Sequence, residues 1–298
     1  MEQKWHSLCA AFPDMPHEED FSFRAHTTVG VGGCAPLALY PRGAAELAAL
    51  LRCVSERGLP YFVLGNGSNL LASDAGFDGA VICTRFVRSV RAEGERIVAD
   101  CGARLASVLA AAVRQSLCGA TFLQGIPATV GGAIFMNAGA QGRCMADIVR
   151  SVTAWSEGEI VRVPAWECRF AYKRSRFMEW GECVISAELQ LKNGNLQSIL
   201  SDIDRVKRRR SALPSGRSMG CVFQNAGGVS AGALIERAGC KGMSCGGAYV
   251  SARHANFLIN RGDATARDFV CLIERIRARV RERTGILLRE EIRYIGVF

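Results

Sequence analysis

Nowhere in this 298-residue chain do apolar residues run for the ~18 positions that a membrane-crossing helix requires. The first twenty residues mix Lys4, His6, Asp14, Glu18, Glu19 and Asp20, without the apolar centre of a secretion signal. Histidine is scarce: His6, His17, His26 and His254 lie far apart. No Cys-x-x-Cys pair occurs, so the ligand spacing of a zinc site is missing. Gly-x-Gly-x-x-Gly opening a βαβ unit is absent, as is Gly-x-x-x-x-Gly-Lys-Ser/Thr. Those two absences exclude a Rossmann dinucleotide domain and a Walker nucleotidase. The expectation is a cytoplasmic, soluble protein with no metal site.

Cysteine, by contrast, is abundant. Thirteen are scattered from Cys9 to Cys271, several inside apolar runs (Cys83, Cys101, Cys271), which reads as small buried thiols in a reducing compartment. The net charge of +9 is concentrated in Lys207-Arg208-Arg209-Arg210 and in Arg275, Arg277, Arg279, Arg281 and Arg283. The second group is interleaved with Glu274 and Glu282, as on a solvated helix face. No aromatic RNA-binding signature accompanies either group. A small anionic ligand suits a basic protein as well as a nucleic acid does, and charge alone leaves both open.

Periodicity predicts an α+β fold. Helical stripes appear at Leu47, Leu50, Leu51 and Val54, and at Leu105, Val108, Leu109, Ala112 and Val113. Short apolar strands fit 61–64, 80–83, 97–101 and 183–191. A helix over 196–210 turns Ile199, Leu200, Ile203 and Val206 inward. The last helix opens with a capping box, Thr265 and Asp268, and carries Phe269, Leu272, Ile273, Ile276 and Val280 as one stripe. The Ser/Gly/Pro-rich segment 211–218 is the predicted domain joint. The expected division is an N-terminal extension (1–20), a first subdomain (21–83), a second subdomain with connecting helix (84–210) and a C-terminal domain (211–298).

Two segments concentrate glycine beside small polar residues. One is Gly65-Asn66-Gly67-Ser68-Asn69-Leu70, directly after a predicted strand. The other runs from Gly125 through Pro127, Ala128, Thr129, Gly131, Gly132 and Asn137 to Gly139 and Ala140. Glycine lets backbone N–H groups approach a ligand closely, and successive N–H groups turned one way make an anion nest. Either segment alone reads equally well as a tight turn or a close-packed crossing. Two of them, some sixty residues apart, suit a dinucleotide diphosphate.

Ordered matches then extend along nearly the whole chain. They include 26–33 (HTTVGVGG), the two glycine segments, 170–177 (FAYKRSRF), 220–225 (GCVFQN), 246–251 (GGAYVS), 254–257 (HANF) and 290–296 (EEIRYIG). In these the chain resembles the UDP-N-acetylenolpyruvoylglucosamine reductase family. The resemblance implies an FAD-binding domain of the PCMH (vanillyl-alcohol-oxidase-like) type with two subdomains, followed by a C-terminal α+β substrate domain. It implies FAD on the two glycine segments and NADPH as reductant. The implied reaction converts UDP-N-acetylglucosamine enolpyruvate to UDP-N-acetylmuramate in peptidoglycan precursor synthesis, hydride leaving flavin N5 for the alkene. Only 49 positions separate Tyr172 from Cys221, so the chain is similar to the compact subclass that lacks a tyrosine-bearing insertion. A monomer acting on a small UDP-sugar is expected.

Carried over residue by residue, the resemblance implies three catalytic positions. Glu291 matches the family glutamate that polarises the substrate carboxyl, with Glu290 next in line if the register slips by one. Lys173 stands where the family has arginine, which keeps the charge but loses the bidentate fork; Arg174 is the alternative cation. Cys221 stands where the family has a serine proton donor. Tyr172, Arg174, Asn225 and Ser251 match substrate-side positions, and His254 suits a turn. The alternative is an FAD-dependent alcohol or sugar oxidase of the same fold.

Overall fold

The computed structural model describes residues 2–298, which divide into two units. The first takes in 2–19, 37–66 and 79–210, and the second 20–36, 67–78 and 211–298. The segment 21–83, expected to form one subdomain, is therefore shared between them.

In the first unit, the β-rich runs Leu37–Leu39, Ala80–Cys83 and Tyr61–Leu64 pair in parallel, in that spatial order. Parallel strands buried on both faces need near-continuous apolar sequence, and Ala80–Cys83 is buried at every position. The helix Ala44–Glu56 buries the predicted stripe Leu47, Leu50, Leu51 and Val54. A second, antiparallel sheet has the order Glu159–Pro164, Val149–Ser156, Cys183–Gln190, Arg96–Asp100, Val90–Glu93. The helix Leu105–Arg114 buries Leu105, Val108, Leu109 and Ala112 in the same continuous core. The helix Leu196–Ser211 departs from expectation at one place. Ile199 and Val206 are buried, but Leu200 is 39% exposed.

The second unit holds an antiparallel sheet, in the order Arg217–Cys221, Phe257–Asn260, Ala248–Val250, Ser244–Cys245. Its core joins Val29, Val31 and Leu71 to the sheet and to the last helix, Ala266–Thr284. That helix has the predicted capping box. Thr265 Oγ1 accepts from the Asp268 N–H at 3.1 Å, and the Asp268 carboxylate accepts from the Thr265 N–H at 3.0 Å. Leu70–Ala72 pairs in parallel with Arg293–Ile295, bringing the end of the first glycine loop to the C-terminal strand. None of the thirteen cysteines is in a disulfide, and five of them are buried. Among the described residues, no helix is long and apolar enough to cross a membrane.

Candidate active site

The first glycine segment leaves the carboxyl end of the parallel strand Tyr61–Leu64, the end at which open α/β sheets bind ligands. Within the first unit it lies against the second segment. Asn66 Nδ2 donates to the Pro127 carbonyl at 2.8 Å, and a Cβ added to Gly65 would sit 2.5 Å from Thr129 Oγ1. The two segments therefore form one cradle despite their separation in sequence. Thr129 also caps the short helix Val130–Phe135, its Oγ1 accepting from the Gly132 N–H.

The glycines of the second segment divide into two kinds. Gly131 and Gly139 are required by close packing, since a Cβ would lie 2.9 Å from Cys101 Cβ and 2.4 Å from the Arg143 carbonyl, respectively. Gly132 is exposed, and a Cβ there would meet only the Thr129 hydroxyl at 3.5 Å. No protein contact demands glycine at 132. A ligand approaching the backbone would.

Asn137, expected beside the cofactor, is bonded within the protein through its side chain. Held at φ +43°, it donates from Nδ2 to the Ala171 carbonyl at 2.9 Å, and its Oδ1 accepts from the Ala146 N–H at 3.0 Å. Ser175 Oγ donates to the Phe135 carbonyl at 2.7 Å. These bonds anchor the turn that carries Tyr172 and Lys173, closed by reciprocal bonds between Ala171 and Arg174. Lys173 sits at φ +57°, a left-handed conformation that costs a non-glycine residue about 1 kcal/mol or more. Tyr172 is 54% exposed at the tip. Arg174 pairs with Glu179 at 2.6 Å.

In the second unit, Cys221 and Glu291 stand on hydrogen-bonded segments. The Glu291 N–H donates to the Val222 carbonyl at 2.7 Å, and Phe223 bridges Glu290. Asn69, from the first glycine loop, donates through Nδ2 to the Glu291 carbonyl at 3.1 Å, while its own carbonyl accepts from Arg293 N–H at 2.9 Å. Each glycine segment thus contributes an asparagine that holds a segment bearing a candidate catalytic residue. Cys221 lies at a β-bulge. Ser218 pairs with Ile259 and Cys221 with Phe257, so one extra residue is fitted in, with Gly220 at φ +75°. Bulges commonly re-aim a side chain beside an active site.

Glu290 is committed elsewhere. Its two carboxylate oxygens engage Arg277 at 3.0 Å and the Tyr294 hydroxyl at 2.6 Å. Burial, and then this bond to Glu290, push the Tyr294 hydroxyl far above the usual phenol range. Asn225 Oδ1 accepts from the Ala231 N–H at 3.0 Å, at the start of the helix Ala231–Arg237. Ser251 is buried, and its Oγ accepts from the Arg253 N–H at 3.1 Å, a local turn. His254 Nδ1 lies 3.3 Å from the Asn256 N–H, and burial lowers the ring's affinity for a second proton. It belongs to a turn. Asn256, which had no sequence-based role, is buried and bonds to the Phe223 backbone. A carboxamide inside the apolar run Ala255–Ile259 was its available signal.

A family model for the FAD binding domain matches residues 35–164, which defines the class as an FAD-binding protein. A second, for the C-terminal domain of UDP-N-acetylenolpyruvoylglucosamine reductase, matches residues 212–295. The chain is 44% identical over 276 residues to UDP-N-acetylenolpyruvoylglucosamine reductase of Heliobacterium modesticaldum, covering 91% of this chain and 88% of that one. It is 36% identical to the enzyme of that name from Lactiplantibacillus plantarum, over 97% of each chain. The crystal structure of the Thermus caldophilus reductase superposes with a TM-score of 0.80 at 33% identity, over 95% of this chain and 99% of that one. The chain belongs to the UDP-N-acetylenolpyruvoylglucosamine reductase family. The oxidase alternative is set aside, because this likeness covers both units and includes a match to the reductase's C-terminal domain.

Proposed function

We infer that this chain reduces UDP-N-acetylglucosamine enolpyruvate to UDP-N-acetylmuramate, using FAD and NADPH, in peptidoglycan precursor synthesis. Full-length similarity to enzymes of that name carries the reading. The cradle fits the cofactor: Gly65 and Thr129 close it without room for a Cβ, and Gly132 keeps a bare backbone that no packing requires. Gly65, Asn66, Gly67, Ser68, Asn69 and Leu70, together with Pro127, Ala128, Thr129 and Gly132, are the groups we assign to FAD. FAD held there would supply the redox chemistry between NADPH and substrate.

The protein supplies charge and a proton. The substrate is an enol ether conjugated to a carboxylate, so hydride addition at its terminal carbon spreads negative charge onto that carboxylate. A fixed cation stabilises such developing charge. We assign Lys173 this part, because it stands at the family's arginine position on a strained turn anchored by Asn137. Glu291, in its protonated form, polarises the same carboxyl by donating to it. Glu290 is unsuited, since both its oxygens are already bonded. Cys221 then delivers its thiol proton to the carbon next to the carboxyl and is reprotonated by solvent. With a reference pKa of about 8.5, a thiol is a more acidic donor than the alcohol of the family serine. Tyr172, Asn225 and Ser251 remain proposed substrate neighbours, the last two with part of their polar groups used locally. A cytoplasmic monomer fits the reading.

The deciding experiment is anaerobic. The purified yellow protein is bleached with NADPH and then given the UDP-enolpyruvyl sugar. Return of the flavin colour is expected; a flavin that stays bleached refutes the function.

A further inference from the structure

Asn256 is 3% exposed and holds the segment that follows Cys221 from one side. Its Oδ1 accepts from the Phe223 N–H at 2.9 Å, its Nδ2 donates to the Phe223 carbonyl at 2.8 Å, and its main-chain carbonyl accepts from the Val222 N–H at 2.9 Å. From the other side, Val222 accepts from Glu291 N–H at 2.7 Å, and Gln224 N–H donates to the Arg289 carbonyl at 2.8 Å. The segment begins just past the bulge, after Cys221–Phe257, the last pair of that ladder. The carboxamide therefore does there what the peptide group of a neighbouring strand does elsewhere: it satisfies a buried donor and a buried acceptor on one residue.

We propose that Asn256 is a positioning residue for the Cys221–Glu291 pair, its carboxamide fixing the Val222–Phe223 peptides and so the direction of the thiol and its spacing from the carboxylate. The proposal rests on Cys221 being the proton donor. Removal of the carboxamide leaves the Phe223 N–H and carbonyl buried without that partner, and the segment relaxes to bond elsewhere. A shift on the order of 1 Å costs about a hundredfold in a step that depends on alignment. Only the step that protonates substrate depends on this alignment. Reduction of the flavin by NADPH does not.

The test compares the two half-reactions by stopped flow in holoenzyme carrying Asn256→Ala, Asn256→Asp or Cys221→Ala, alongside iodoacetamide labelling of Cys221 read by mass spectrometry. For Asn256→Ala, flavin reduction by NADPH is unchanged. Reoxidation by the sugar substrate slows about tenfold to a hundredfold, and the labelling rate of Cys221 changes. Asn256→Asp, which keeps the shape, is slow at neutral pH and recovers as pH falls, because a protonated carboxyl again donates to the Phe223 carbonyl. If Asn256→Ala fails to fold, the Asp variant decides. The proposal is overturned if Asn256 variants reoxidise normally, if both half-reactions slow together, or if the Asp variant shows no recovery in acid. Normal reoxidation in Cys221→Ala would instead sink the proton-donor reading. A slow Cys221→Ala beside a normal Asn256→Ala would sink the positioning role alone.

Discussion

Glu291 donates its backbone N–H to the carbonyl of Val222 at 2.7 Å, across nearly seventy residues of sequence. The contact makes the segments bearing the thiol and the carboxylate neighbours, with Asn69 Nδ2 on the Glu291 carbonyl. The roles proposed for Cys221 and Glu291 require adjacent segments, and this backbone bond provides that adjacency.

The thiol is tested by size and acidity together. Cys221→Ala is expected to leave flavin reduction by NADPH intact and to slow reoxidation by substrate by about 10²- to 10⁴-fold, the usual worth of a positioned acid. Cys221→Ser should keep substantial activity. Rapid-mixing absorbance of the two half-reactions separates these outcomes, and a normal Ala variant would leave Cys221 as one more half-buried thiol without a catalytic part.

Adjacent glutamates should behave differently. Glu291→Gln is expected to lower kcat by about tenfold to a thousandfold with FAD still bound, because an amide donates only weakly to the developing charge. Glu290→Gln breaks the pairing with Arg277 and weakens the bond from Tyr294, both partly solvent-exposed. Its cost is about 1 kcal/mol or less in stability, with turnover kept. Steady-state kinetics and thermal melts on both variants give the answer, and an inactive Glu290→Gln would reverse the assignment.

The two cations of the Tyr172 turn form a similar pair. Lys173→Ala should cut kcat/KM for the sugar substrate by about a hundredfold or more, the loss of a desolvated charge contact. Arg174→Ala removes an exposed ion pair with Glu179 and should cost about 0–1 kcal/mol of stability and little activity. Comparison of kcat/KM for the two variants decides which guanidinium or ammonium the substrate meets.

Gly132 separates folding from cofactor retention. It lies in the helix Val130–Phe135 with room for a methyl group, so Gly132→Ala should stabilise the FAD-free protein by up to about 1 kcal/mol. The same methyl should weaken FAD binding. Flavin-to-protein absorbance ratio after gel filtration, beside the melting temperature of the apoprotein, reads both. Full flavin content in this variant would remove Gly132 from the cradle.

Stability at low pH turns on Arg176 and Glu182, whose side chains are 11% and 2% exposed and bond twice, at 2.6 and 2.8 Å. Burial raises the Glu182 carboxyl, but bonds from Arg176 and Ser156 outweigh it and hold the group below its ordinary 4.5. A depressed carboxylate contributes its stability above the unfolded value and loses it as pH falls through the folded one. Arg176→Ala should therefore cost about 3–5 kcal/mol near neutrality, with the deficit shrinking in acid as the stranded carboxyl takes up a proton. Urea unfolding at neutral and acidic pH measures this, and a pH-independent deficit would contradict it.

Local features were well legible in the sequence. Amphipathic stripes at Leu47–Val54 and Phe269–Val280, and the Thr265–Asp268 capping box, follow from spacing alone because their partners lie within a few turns. Leu200 was misread because the stripe on its helix is narrower than the apolar letters suggest, and only Ile199 and Val206 are buried. Asn69 and Asn137 were expected beside FAD, and what their spacing does not show is that their side chains bond to carbonyls 222 and 34 residues away. Such bonds leave no periodic trace. The choice between Glu290 and Glu291 likewise needed Arg277 and Tyr294, which no spacing rule ties to one and not the other.

The interleaving of the two units bears on any attempt to take the protein apart. A cut at Ser211 looks natural, since a unit boundary falls there. Yet the piece released would lack Val29, Val31 and Leu71 from its core and the strand that pairs with Arg293–Ile295. It would also lose Asp74, whose carboxylate accepts from the first two N–H groups of the last helix at 2.8 and 3.1 Å. The C-terminal fragment is therefore not expected to fold alone, whereas the N-terminal fragment keeps every segment of the first unit. A C-terminal half exchanged between relatives would have to pack against segments 20–36 and 67–78 of the half it joins, because these complete its unit.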